Sequence, residues 1–103
     1  MNIAKMLKQA QQMQSQLAET QSKLAEKTVE ASSGGGKVTV TANGAGDVTA
    51  IRIDPAIVSV GDVEMLEDLV LVAVKQAIAN AKKMAGDEMG KITSGLNIPG
   101  LPF

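Results

Sequence analysis

The pattern of apolar and polar positions divides the chain into two helical stretches around a short β-rich centre. From Met1 to about Lys27, Ile3, Met6, Ala10, Met13, Leu17, Thr20 and Leu24 recur at spacings of 3, 4, 3, 4, 3 and 4. That is an a/d stripe over about three heptads. The positions between are rich in Gln and free of Gly and Pro, which predicts one long helix. Between Gly36 and Asp54 the period changes to two. Val38, Val40 and Ala42 alternate with Lys37, Thr39 and Thr41. Asn43-Gly44-Ala45-Gly46 then interrupts before Val48–Ile53. This predicts a β-hairpin. With Asn43 facing Gly46, Val38 falls opposite Ile51, Val40 opposite Thr49 and Lys37 opposite Arg52. Val38, Val40, Ala42, Ile51 and Ile53 share one face in that register. A valine at Gly44 is expected to be strained, on the reading that this residue has positive φ.

The flanking segments follow the same logic. Thr28–Ser33 reads either as a third strand or as a connector running into Gly34-Gly35-Gly36; the strand is favoured. Asp54-Pro55 stops the hairpin. Ser59-Val60-Gly61-Asp62 fits a helix cap. The helix it opens runs to about Met89, closed by Gly90 or by Thr93-Ser94-Gly95. Within it, Leu69–Val74 is apolar on every side. A helix of that kind is buried all round, and one small sheet covers only one side. The other side needs the first helix or a second copy of the chain. Leu69, Val70, Val72 and Ala73 are therefore the expected dimer interface. The segment 96–103 is broken by Gly and Pro but carries Leu96, Ile98, Leu101 and Phe103, so it either docks or stays a disordered end. The expected organisation is one domain over residues 1–95 with a tail over 96–103.

Composition narrows the chemistry. With 103 residues and Phe103 as the one aromatic, the core is built from small aliphatic side chains, and burial between subunits is a natural supplement. There is no Cys, which excludes disulfides and thiolate metal sites, and no His, which removes the commonest general base and metal ligand. The sequence has neither a signal-peptide pattern nor an 18-residue apolar run. The expectation is a cytoplasmic protein with no membrane partner.

No constellation supports catalysis. Ser33-Gly34-Gly35-Gly36-Lys37 lacks the glycine and the hydroxyl of a phosphate loop: Ala31 and Val38 stand at those positions, and a strand follows. Gly44-Ala45-Gly46 has Thr49 where a dinucleotide fingerprint needs its third glycine. Asp62, Glu64, Glu67 and Asp68 crowd the start of the second helix, where the macrodipole favours anions, so no metal site need be invoked. No cofactor and no small-molecule substrate is expected. The basic residues remain. Lys5 and Lys8 precede the first acid, Glu19, while Lys82 and Lys83 stand in the distal half of the second helix. The net charge is only −1, so these pairs are candidate phosphate contacts by their placement rather than by bulk charge.

Several stretches in order carry a resemblance. After the Met- and Gln-rich first helix come Gly35-Gly36-Lys37-Val38-Thr39-Val40, Asn43-Gly44-Ala45-Gly46 and Ile51-Arg52-Ile53-Asp54-Pro55. Glu64-Met65-Leu66-Glu67-Asp68-Leu69 and Thr93-Ser94-Gly95-Leu96-Asn97-Ile98-Pro99-Gly100 complete the set. Over nearly its full length the chain resembles the YbaB/EbfC family of bacterial nucleoid-associated proteins. The resemblance implies an α+β, two-layer α-β-β-β-α fold, a small antiparallel sheet flanked by two long helices. It also implies a homodimer with protruding helices and non-catalytic binding of double-stranded DNA in the nucleoid, organising the chromosome or modulating transcription. The alternative is a cytosolic dimeric adaptor whose helical arms grip a protein partner.

Overall fold

The computed structural model describes residues 2–58 and 61–95. Its elements run α1 (Ile3–Glu26), β1 (Thr28–Ser33), β2 (Val38–Asn43), β3 (Val48–Ile53), a 3-10 turn (Pro55–Ile57) and α2 (Val63–Gly95). This is the expected α-β-β-β-α order, with Thr28–Ser33 as a strand rather than a connector. The three strands form an antiparallel meander in the order β1-β2-β3. α1 starts where the Asn2 side chain accepts from the Lys5 N–H at 3.2 Å, which satisfies one of the helix's free donors. It stops where Lys27 turns extended and leads directly into β1. α2 runs through Gly90 to Gly95; the Ser59 cap and the tail 96–103 lie outside the described residues.

Gly34, Gly35 and Gly36 turn β1 into β2 with φ of 61°, 67° and 89°. Three consecutive left-handed residues are open only to glycine, so what reads as linker chemistry is a tight turn.

The β2–β3 register departs from expectation by two residues. Val38 pairs with Ile53, Val40 with Ile51 and Thr41 with Ala50, then Ala42 with Val48 across a bulge. The turn at Asn43 and this bulge are together the cause. The Asn43 carboxamide oxygen accepts from the N–H of Ala45 and of Asp47, and the Asn43 N–H donates to the Asp47 carbonyl. The Asn43 carbonyl also accepts from the Gly46 N–H at 3.0 Å, so the expected turn forms, and the Asn43–Asp47 bond closes the hairpin one residue further on. A two-residue slip keeps each side chain on its face, and the bulge brings Val48 beside Ala42. Lys37 falls beside Asp54 instead of Arg52, with its ammonium 3.2 Å from that carboxylate. Gly46, not Gly44, has positive φ, at 92°.

The fully buried positions alternate along β2 and recur every fourth residue along α2. Val38, Val40 and Ala42 pack with Ala31 against Ala73, Ala77 and Ala81. Alanine at each of these α2 positions lets the helix backbone approach the sheet closely. α2 lies across β1 and β2 and barely reaches β3. It runs antiparallel to β1. Leu69 sits over the Gly34 turn and accepts from the Ser33 hydroxyl at 2.6 Å, Asn80 reaches the Glu30 carbonyl, and Glu88 pairs with Lys27. The inner side of β3 is left open, with Val48 39% and Ile51 49% exposed.

α1 meets this body only at its C-terminal end. Leu24 is buried, and its carbonyl accepts from the Gly44 N–H at 2.8 Å. A Cβ on Gly44 would lie 2.6 Å from that carbonyl oxygen. Gly44 is therefore required by close approach and not by its φ. Beyond Leu17 the helix projects, and the molecule extends 71 × 24 × 16 Å.

Candidate nucleic-acid interface

Of the ten cationic side chains, Lys23, Lys27, Lys37 and Lys91 are ion-paired. Among the described residues the other six, Lys5, Lys8, Arg52, Lys75, Lys82 and Lys83, form no ion pair. All six are exposed.

Lys5 and Lys8 stand in the first two turns of α1, whose first turn holds no acid. A helix N-terminus carries about half a positive charge, so cations there oppose the macrodipole. Helix stability does not account for them. Lys5 also lies about 33 Å from the end of α1 where the sheet begins, at 1.5 Å per residue. The two lysines are thus carried on a projecting arm.

Lys82 and Lys83 belong to the body. Consecutive helical residues point about 100° apart, and the structure separates them accordingly. Lys83 lines an open groove of about 710 Å³ together with Glu30, Asn80, Asp87 and Glu88, so carboxylates surround it. Lys82 is exposed outside that groove, one heptad from Lys75. That spacing places Lys75 and Lys82 on a common exposed side. Lys75 shares the positive distal half of this helix, and its seven-residue offset from Lys82 is the signal in the sequence that aligns the two. Within a single chain the two expected pairs are not brought together: one is on the arm, the other beside the sheet.

The expected dimer-interface residues also separate. Ala73 is fully buried against the sheet, so it is unavailable to a second copy. Leu69 and Val70 are half-buried and packed on the core. Val72 is 57% exposed, as is its neighbour Leu71 at 52%. The expectation of burial all round Leu69–Val74 therefore does not hold within one chain, because the sheet covers one side of α2 and α1 reaches only its far end.

Two carboxylates are perturbed, both by partners rather than by burial. Hydrogen bonds from the Lys27 and then the Lys91 ammonium, at 3.0 and 3.3 Å, hold Glu88 below the usual carboxylate range. Asp54 is lowered first by the Ala56 N–H and then by Lys37. Among the described residues no polar or charged side chain is buried and no three acids converge on a metal-sized site. Acid–base catalysis normally draws on desolvated groups. The geometry here is that of a binding protein: a small two-layer body, a long helical arm and exposed, unpaired cations on both.

The comparisons are specific. The description of the YbaB/EbfC DNA-binding family matches residues 1–96, and the chain belongs to that family, one of DNA-binding proteins and not of enzymes. A nucleoid-associated protein of Thermoanaerobacter sp. (strain X514) is 57% identical, with 97% of this chain and 90% of that protein covered. One from Caldanaerobacter subterraneus subsp. tengcongensis is 55% identical over the same shares. An uncharacterised protein of Helicobacter pylori, solved by crystallography, has the same fold: TM-score 0.80 at 18% identity, covering 90% of this chain and 98% of that one.

Proposed function

We propose that this protein binds double-stranded DNA as a homodimer in the bacterial nucleoid, where it organises the chromosome or modulates gene expression. The observation that carries this reading is the placement of Lys5 and Lys8. They are exposed, unpaired among the described residues, and set at the end of a helix where cations cost stability. Phosphates supply the anions that the helix itself does not. Lys82 joins them from the body with Lys75, and Lys83 contributes from its acid-lined groove.

Dimerisation draws on the apolar surface that one chain leaves open: Val72 and Leu71 on the outward side of α2, and Ile51 and Val48 on β3. These replace Ala73, which is buried within the chain, while Leu69 and Val70 support the interface from below. Doubling the chain doubles the lysine set. Four to six phosphate contacts then give a log K against log salt slope of about −4 to −5.

A binding series on random and defined duplexes across salt concentrations tests the reading, with light scattering in parallel. The expected results are a slope in that range and two chains per particle. No retention at low salt would overturn DNA binding, retention that ignores salt would overturn the phosphate contacts, and a folded monomer at micromolar concentration would overturn the dimer. The adaptor reading draws on Ile3, Met6 and Leu7, which are 67%, 56% and 61% exposed on the arm. It predicts a protein partner that survives moderate salt while DNA does not.

A further inference from the structure

Between Ile3 and Ala18 the projecting part of α1 has one face made only of Lys and Gln. At 3.6 residues per turn, Lys8, Gln12, Lys5, Gln16 and Gln9 fall in that order within an arc of about 100°. All five are exposed, and among the described residues none of their side chains forms a hydrogen bond or ion pair. The apolar stripe of Ile3, Met6 and Met13 lies about 120° round the helix from the middle of this face. Six of the chain's seven glutamines are on α1. Ordinary helix chemistry would put acids among them. Glu in the first turns complements the macrodipole, and Glu–Lys pairs four apart stabilise an exposed helix. Yet α1 has no acid before Glu19, which is paired with Lys23 where the helix nears the body. Gln matches Glu in helix propensity but carries no charge, so a polyanion can approach this face without repulsion.

The dimensions of the arm suit one feature of a duplex. A single helix with its side chains is about 10–12 Å across, and the major groove of B-DNA is about 12 Å wide and 8.5 Å deep. From Lys5 to Gln16 the face is about 16 Å long at 1.5 Å per residue, the rise of about five base pairs at 3.4 Å each. In that groove adenine presents an acceptor, N7, beside a donor, its N6 amino group. A Gln carboxamide carries a donor and an acceptor side by side and meets both.

We propose that this face of α1 lies in the major groove and that Gln9, Gln12 and Gln16 read adenine edges there, while Lys5 and Lys8 hold the flanking phosphates. The inference rests on the DNA-binding reading above and adds to it a preference for A·T pairs where the glutamines reach. The lysines fix the helix on any duplex; the glutamines decide which duplex it prefers.

The test uses the full chain and a pool of duplexes randomised at their centre. Duplexes enriched by binding should carry A·T pairs at fixed positions and bind about tenfold or more tightly than an unselected duplex. Replacing the enriched adenines by 7-deazaadenine, which removes only the N7 acceptor from the major groove, should erase most of that difference. Gln12→Ala keeps the helix, because alanine is the better helix former. It should lower affinity for the enriched duplex about 5- to 30-fold and leave the unselected duplex and the salt slope unchanged. The Gln9/Gln12/Gln16 triple alanine should lose the preference altogether. Gln14→Ala, about 160° round the helix from Gln12, should change neither affinity, and the Lys5/Lys8 double alanine should lower both alike. Equal affinity for all duplexes would overturn the readout and leave DNA binding standing. So would a preference for G·C pairs, or one that survives 7-deazaadenine or the triple alanine. No retention of any duplex at low salt would overturn both readings.

Discussion

Leu24 and Ile3 occupy the same heptad stripe of the same helix, yet one is 3% exposed and the other 67%. The difference lies in what stands opposite. Leu24 meets the β2–β3 turn, where Gly44 offers a backbone surface with no side chain in the way. Ile3 is carried beyond every described element. Hydrophobic periodicity identifies a face that can be buried; it does not identify the partner that buries it. The body and the arm are thus one pattern under two boundary conditions, and mutations should separate them.

The largest expected effect is in the body. Ala77 is fully buried and Ala79, two residues on, is exposed. Ala77→Glu would place an unpaired carboxylate between α2 and β2, a change expected to cost about 4 kcal/mol or more and to unfold a domain of this size. Ala79→Glu should stay within about 0.5 kcal/mol of the parent. Urea melts of the two variants make the comparison, and equal midpoints would mean that α2 does not sit on the sheet as described.

Next comes the joint between body and arm. Gly44→Val forces its Cβ against the Leu24 carbonyl and side chain, with an expected loss of about 3 kcal/mol from overpacking and the displaced hydrogen bond. Gly44→Ala should lose much of that too, since the clash begins at Cβ. An unperturbed alanine variant would mean that α1 does not rest on this turn.

On the arm, replacing Lys5 and Lys8 by alanine should leave stability nearly unchanged. The salt slope of DNA binding should flatten by about 2 per chain, uniformly over sequences. Lys37→Ala is the contrast in the body, because that ammonium is already paired with Asp54; the Lys37/Arg52 double alanine should weaken binding much less. Loss of binding in the sheet variant alone would move the interface from the helices to the sheet.

The smallest effect is expected at Glu88, which ties Lys27 to α2. Its folded pKa lies below the ordinary 4.5. The pair's contribution is therefore present above about pH 4.5 and is lost as pH falls through the lowered value. The Glu88 side chain is still reached by solvent, at 24% exposure, and its Lys27 partner is exposed, so the change is small. An NMR titration of its carboxylate should show the depressed midpoint, and Lys27→Ala should return it towards normal.

Much of the fold was legible because local chemistry decided it. The α1 stripe, the alternation along β2, the breaker at Pro55 and the order of elements all follow from periodicity and turn residues. Other features were hidden by long-range contact. The closure of the turn by Asn43 and Asp47 and the bulge at Thr41/Ala42 together moved the β2–β3 register by two residues, which periodicity does not register. Gly44 was read for its φ when the constraint was the backbone of Leu24, distant in sequence. Of the candidate site, the four lysines were legible as clusters of charge. Their separation onto arm and body and the acids around Lys83 needed the packed helix.

The sequence alone determined which residues can form helix and strand and which faces of them are apolar, because those depend on neighbours a few positions away. Only the tertiary structure decided which apolar faces are used. Ala73, Ala77 and Ala81 are buried because α2 lies on β1 and β2, Leu71 and Val72 are exposed because none of the described elements lies on their side, and Ile51 is half open because α2 stops short of β3. Burial belongs to a pair of surfaces, and the second surface comes from distant parts of the chain.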